Sequence, residues 1–141
     1  MRLYAESSAV LAWLFEEPGA DKVVACLREA PHVVSSQLTL VECDRVLMRS
    51  AREGRLSEID IARRRAQIEA TASAWSLVEL ERGILERCRR RFPVEPVRTL
   101  DALHLASAAA ARQAFPDLAV LSLDQRIRDN AAALGFATLP A

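Results

Sequence analysis

A chain of 141 residues that is 51% hydrophobic and 27% charged, with 4 glycines and 6 prolines, is long enough for one well-buried core and falls outside the disordered, collagen-like and low-complexity classes. Nineteen basic and nineteen acidic residues cancel to a formal charge of zero, so no bulk cationic field draws the protein to duplex DNA or to an anionic membrane. Any nucleic-acid contact has to be local; every Lys or Arg except Lys22 is an arginine, which suits bidentate contacts, although biased base composition explains the same preference.

Short β-prone runs alternate with longer helical ones. Residues 2–5 read as a first strand, and a helix begins near Ser8, breaks at Pro18-Gly19 and resumes over 20–29. After a second strand at 32–35, the helix at 38–52 places Leu40, Cys43, Val46 and Leu47 on one stripe and ends at Gly54. Ser57, followed by Glu58, Ile59 and Asp60, opens another helix to about Thr71, whose Arg63-Arg64-Arg65 run reads as a solvated face. A third strand at 76–80 leads to a helix over 81–91 that stops before Pro93, and Thr99 starts an Ala- and Leu-rich helix expected to be largely buried. A fourth strand at 119–122, a helix over 125–134 closed by Gly135 and a weak fifth strand at 136–139 complete the order. This alternation predicts an α/β fold, a three-layer α/β/α sandwich with a mostly parallel central sheet. With no repeat, linker or charged tail in view, one domain is expected over 1–141.

Cys26, Cys43 and Cys88 are odd in number and form no C-x-x-C pair, which argues against a disulfide framework and a structural zinc site and points to a reducing cytoplasm. The apolar run 7–15 after Arg2 is not a secretory signal: Glu6 interrupts the positive region, and Glu16-Glu17-Pro18-Gly19 replaces a cleavage pattern. The uncharged stretch 102–111 is far short of the roughly 20 apolar residues a membrane span needs. A soluble protein is expected.

In open parallel sheets ligands sit beyond the carboxyl ends of the strands, and acidic residues gather there. Glu6 follows the first predicted strand, Asp124 follows the fourth, Glu42 lies about one turn into the helix after the second, and Asp101 is in the first turn of the helix opened by Thr99. Each also has a purely structural account. Thr39 with Glu42 and Ser122 with Gln125 match the capping-box pattern, Asp124 can itself be an N-cap, and the helix dipole favours Asp101. Glu6 resists such an account, since its apolar setting penalises a lone carboxylate. Four converging carboxylates repel unless a cation neutralises them, and all-oxygen ligation points to Mg2+ or Mn2+.

Tyr4 to Leu14 with Glu16, Pro18 and Gly19, then Ser36 to Leu47 around Glu42, then Thr99-Leu100-Asp101-Ala102-Leu103-His104-Leu105-Ala106, then Leu121-Ser122-Leu123-Asp124-Gln125-Arg126 through Ala131 and Gly135, resemble in their order the PIN domain, specifically the VapC-type toxins of bacterial toxin-antitoxin pairs. The resemblance implies a metal-dependent endoribonuclease whose Glu6, Asp101, Asp124 and, directly or through water, Glu42 bind Mg2+ or Mn2+, blocked by a cognate antitoxin. It also implies a homodimer; the apolar helices at 38–52 and around Trp13 are candidate surfaces for self-association or antitoxin binding. Bound metal would lower the pKa of a water and stabilise charge on the scissile phosphate, with Ser7 and Ser122 orienting the carboxylates, or simply capping helices. The family most often carries Asp before Thr or Ser at the first acidic position, where this chain has Glu6 before Ser7.

His104, three residues after Asp101, reads as a packed core histidine rather than a metal ligand, and Trp13 and Trp75 as core or partner-contact residues rather than base-stacking platforms. Arg87, Arg89, Arg90 and Arg91 read as a solvated helix end, with RNA phosphate binding as the alternative. A phosphoacceptor domain would want a late lysine, and a nucleotide-binding module a glycine-rich loop; the chain has neither. The serious rival is a non-catalytic PIN-like RNA- or protein-binding module whose metal site Glu6 impairs.

Overall fold

Alternate side chains along a strand point to opposite faces of a sheet, and the short strands of this protein divide their residues between two cores in that way. The computed structural model describes residues 1–141. In β1 (Leu3–Ala5), Leu3 and Ala5 face one way and Tyr4 the other; β4 (Ala119–Leu121) separates Ala119 and Leu121 from Val120, and β2 (Val33–Ser36) separates Val33 from Val34. With β3 (Ser76–Val78) and β5 (Thr138–Leu139) they form an all-parallel sheet in the order β3-β2-β1-β4-β5.

Both faces are covered, as a parallel sheet requires. On one, α1 (Ser7–Leu14), α2 (Ala20–Glu29), α3 (Gln37–Arg52) and α4 (Glu58–Ala72) bring Val10, Leu14, Val23, Cys43 and Ile68 against Leu3, Ala5, Val33, Ala119 and Leu121. On the other, α5 (Arg82–Cys88), α6 (Thr99–Ala114) and α7 (Gln125–Ala133) bring Ile84, Leu105, Ala106 and Ile127 against Tyr4, Val34 and Val120. Three layers result, in the architecture expected. The chain steps outward from β1 through β2 to β3, then returns to the other side of β1 for β4 and β5. Its winding therefore reverses between β1 and β4, the place where an open parallel sheet leaves a crevice at its carboxyl edge.

Two expectations need correction. The helix expected over 81–91 ends at Cys88; beyond it Arg87 folds onto the Arg90 and Arg91 carbonyls (3.5 and 3.2 Å) and lies 4.0 Å over the Phe92 ring. The arginine run at 63–65 is not merely a solvated face. Arg64 donates to the Leu14 carbonyl and lies over Phe15, while Arg65 pairs with Asp44 at 3.1 Å, so α4 is tied to the end of α1 and to α3. Trp13 and Trp75 pack, partly buried, against the α1–α4 core. No helix is long and apolar enough to cross a membrane.

The irregular segment before α6 decides where Asp101 sits, and α7 holds it. Asn130 is 1% exposed; its Oδ1 accepts from Val94 N (2.9 Å), and its Nδ2 donates to the carbonyls of Val94 (2.9 Å) and Arg126 (3.1 Å). Asn130→Ala leaves the Val94 groups without these partners and is expected to cost about 1–3 kcal/mol in urea unfolding; an unchanged midpoint would show that water replaces the clamp.

Candidate active site

Glu6 is the residue at which β1 hands over to α1. Its N–H still extends the ladder to Leu121 O (3.0 Å), its φ/ψ is extended, and its side chain occupies the N-cap of α1 by accepting from Ser8 N (3.0 Å). The carboxylate is buried, with only 3% of the residue exposed. Three hydroxyls complete its shell: Ser7 Oγ donates to Oε1 at 2.8 Å, and Ser8 Oγ and Ser122 Oγ to Oε2 at 2.5 and 2.7 Å. A carboxylate has about four acceptor sites, so the count of donors matches its capacity. Ser122 follows β4, so this cluster bridges the switch point. Ser8 Oγ also accepts from Leu123 N at 2.9 Å, which stitches the two strand-to-helix turns together.

Glu42 reaches the same edge from α3. The Thr39–Glu42 capping box does not form, because α3 starts at Gln37 with Ser36 as its N-cap, and Thr39 is buried against Ser35 (2.9 Å). Freed from capping, half-buried Glu42 meets His104 Nε2 at 2.5 Å through Oε1, while its Oε2 lies 3.1 Å from Ser7 Oγ, whose one proton is shared with the nearer Glu6 Oε1. Ser7 thus stands between Glu6 and Glu42.

Asp101 and Asp124 form an outer pair. Asp124 is the N-cap of α7, its Oδ1 accepting from Arg126 N (2.8 Å) and Ile127 N (3.3 Å); the Ser122–Gln125 box is not made, and Ser122 Oγ instead accepts from Asp124 N at 3.1 Å. Asp101, half-buried in the first turn of α6, has its carboxyl pushed above the usual range, first by burial, then by the charges of Asp124 and Glu6, with His104 and Arg98 acting in the opposite sense. The two aspartates open into a cavity of about 350 Å³ lined by Arg98, Asp101, Asp124, Gln125 and Arg126. A larger cavity of about 710 Å³ lies between β3, α5 and α6 and touches none of the four carboxylates.

The fold thus brings all four acidic residues to one edge as two neighbouring pairs. No three acidic, histidine or cysteine side chains are grouped so as to enclose an ion between them. His104 is the buried core residue expected, at 1% exposure, but it is bonded to Glu42 rather than paired with Asp101. Sequence reading passed over Ser8, whose only signal was its place in the Ser7-Ser8 pair, and over Arg98 and Arg126, which had none.

Because the folded-state carboxyl of Asp101 is raised, the folded protein binds its proton more tightly than the unfolded chain does, and stability contributed by Asp101 is lost as pH rises through that interval. Asp101→Asn is therefore expected to raise Tm at neutral pH by the equivalent of at most about 1 kcal/mol, the difference vanishing below about pH 4. Asp124→Ala removes a cap and is expected to lower stability by about 1 kcal/mol. Equal signs for the two variants in thermal melts would place Asp101 outside the crowded cluster.

The family model of the PIN domain matches residues 3–133. The Mycobacterium tuberculosis ribonuclease VapC46 is 33% identical over 138 residues, covering 97% of this chain and 95% of its own, and ribonuclease VapC49 of the same organism is 30% identical over 139 residues, covering 99% and 95%. Among solved structures, M. tuberculosis VapC20, a toxin that cleaves the sarcin-ricin loop, superposes with a TM-score of 0.70 at 16% identity over 99% of both chains. VapBC2 of Rickettsia felis, bound to a promoter DNA fragment, gives 0.66 at 8% identity over 99% of this chain and 98% of its own. These likenesses run along nearly the whole chain: the chain belongs to the PIN domain family, among its VapC-type members.

Proposed function

We propose that this protein is a Mg2+- or Mn2+-dependent endoribonuclease that hydrolyses RNA phosphodiester bonds and is neutralised by a cognate antitoxin protein. The observation that carries the reading is that Asp101 and Asp124 line one cavity at the carboxyl edge of the sheet, where burial first and then the charges of Asp124 and Glu6 raise the Asp101 carboxyl; a divalent cation relieves that repulsion. The donor set fits such an ion: it is all oxygen, and Mg2+ is commonly held by one or two carboxylates with water and substrate phosphate rather than by an all-protein cage. Asp101 and Asp124 would hold it from the open side, Glu6 and Glu42 from behind, directly or through water. When bound, the ion supplies an activated water and offsets charge on the phosphate undergoing attack.

The chain's own residues do the rest. Ser7, Ser8 and Ser122 keep Glu6 in one rotamer, and Arg98 and Arg126, exposed on the cavity rim, offer cations to phosphates that flank the reacting one. The names of the relatives, ribonucleases and toxin-antitoxin proteins, support RNA as substrate and an antitoxin as partner. A homodimer through α3 agrees with the exposure of Val41 and Met48 on that helix, at 55% and 48%, and action in the cytoplasm agrees with three unpaired cysteines. The alternative, a non-catalytic PIN-like binding module, draws on one observation: every acceptor site of Glu6 is already taken by a protein donor.

Purified chain, stripped of partner and metal, separates the two. Cleavage of unstructured or loop RNA is expected only with Mg2+ or Mn2+, with Mn2+ at least as effective, and chelator abolishes it; cleavage that survives chelation excludes the metal mechanism, and no cleavage with no Mn2+ binding favours the module. Glu6→Asp pulls the carboxylate back from Ser122 and is expected to lower the rate. Glu6→Gln also sets an amide against the hydroxyl donors and lowers it further, roughly tenfold or more overall. Three indistinguishable proteins would remove Glu6 from the site.

A further inference from the structure

Buried inside α6, one turn beyond Asp101, His104 uses both ring nitrogens. Nδ1 lies 2.9 Å from the Tyr4 hydroxyl and Nε2 lies 2.5 Å from Glu42 Oε1. An ionised carboxylate only accepts hydrogen bonds, so the contact with Glu42 places a proton on Nε2. Tyr4 supplies the complementary demand. It is fully buried, and a phenol, ordinarily ionised only at about pH 10, keeps its proton at neutral pH and donates it to Nδ1. Two partners of opposite polarity thus select one tautomer.

The consequence falls on Glu42. Its Oε1 is held by the ring from the α6 side, whereas its Oε2 has only a share, at 3.1 Å, of the Ser7 proton that lies nearer Glu6, so the ring is the contact that fixes the carboxylate. The run Tyr4, His104, Glu42, Ser7, Glu6 crosses the carboxyl edge of the sheet, linking α6 on one face with α3 on the other. We propose that His104, held in its Nε2–H form by Tyr4, is the positioning residue that sets the orientation of the Glu42 carboxylate toward the site. The inference rests on the divalent-ion reading above for its effect on binding, and on the hydrogen bonds alone for the tautomer.

The test combines proton–nitrogen NMR of isotope-labelled histidine in the metal-free protein with Mn2+ titration in the absence of RNA. Wild type is expected to show an Nε2–H signal for His104 that moves in Glu42→Gln. Tyr4→Phe keeps the ring packed but leaves Nδ1 without its donor, so that Glu42 alone holds the Nε2–H form, and it is expected to weaken Mn2+ binding less than His104→Leu does. His104→Leu weakens it by about 10- to 100-fold, and His104→Gln, whose amide can donate to Oε1, recovers part of the loss. An Nδ1–H signal in wild type overturns the proposal, as does folded His104→Leu or Tyr4→Phe that binds Mn2+ like wild type while wild type binds it well. Wild type that binds no Mn2+ and cuts no RNA, yet shows an Nε2–H signal displaced by Glu42→Gln, defeats the nuclease reading and keeps His104 as the group that orients Glu42.

Discussion

Burying a carboxylate costs several kcal/mol unless donors meet it, and in this protein the carboxylate of Glu6 lies buried where the winding of the sheet reverses. The donors that satisfy it come from both sides of the reversal: Ser7 and Ser8 from the start of α1, and Ser122 from the end of β4. Meeting the charge therefore locks two segments more than a hundred residues apart in sequence. Ser8 passes the constraint on to Leu123 N, and Ser122 to Asp124 N, so the N-cap of α7 is positioned by the same hydroxyls that solvate Glu6. Remove the charge and these hydroxyls lose their common acceptor; the site is held together by the group that makes it electrostatically demanding.

Chemistry at the edge is graded from inside to outside. Glu6 and Glu42 have their oxygens engaged by protein donors, with a single Ser7 hydroxyl between them. Asp101 and Asp124 face the cavity, and the first of them carries the raised carboxyl. The inner pair is engaged by hydrogen bonds, while of the outer pair Asp124 is engaged through Oδ1 as the cap of α7 and both line the cavity. The neutral overall charge of the chain conceals this local imbalance, and the arginines on the rim, Arg98 and Arg126, give the cavity a second sign of charge within a few residues of the first.

The layers and the parallel sheet were legible because they depend on periodicity; the strand order, with its reversal between β1 and β4, was not. Apolar strands such as 119–121, bounded by helices with capping or glycine signals, leave few other arrangements, and the acidic residues that follow strands were legible because open parallel sheets expose that edge. What escaped the sequence was what depends on direction in space. Thr39 and Glu42 satisfy the capping-box spacing, yet Ser36 takes the cap and Glu42 turns to a histidine 62 positions away. The arginine run at 63–65 looked solvated because nothing local shows that α4 passes over the end of α1. His104 looked like a core residue, which it is; that its Nδ1 faces the Tyr4 hydroxyl is a fact of the β1–α6 packing, 100 positions apart in sequence.

Glu6 reads in the sequence as a departure from the PIN-domain pattern that the chain resembles, and the structure supplies a physical account of how this chain accommodates a glutamate there. At the N-cap of α1, an aspartate would cap the following amides from close to the backbone, as short polar caps do. The extra methylene of Glu6 carries its carboxylate far enough to cap Ser8 N with one oxygen and reach across the reversal to Ser122 with the other. The longer side chain is not left loose, since Ser7 and Ser8 close on it from its own helix. Length and partners match: the side chain that caps Ser8 N also reaches the Ser122 hydroxyl beyond β4 at 2.7 Å. The departure is thus built into the hydrogen-bonding of the surrounding chain.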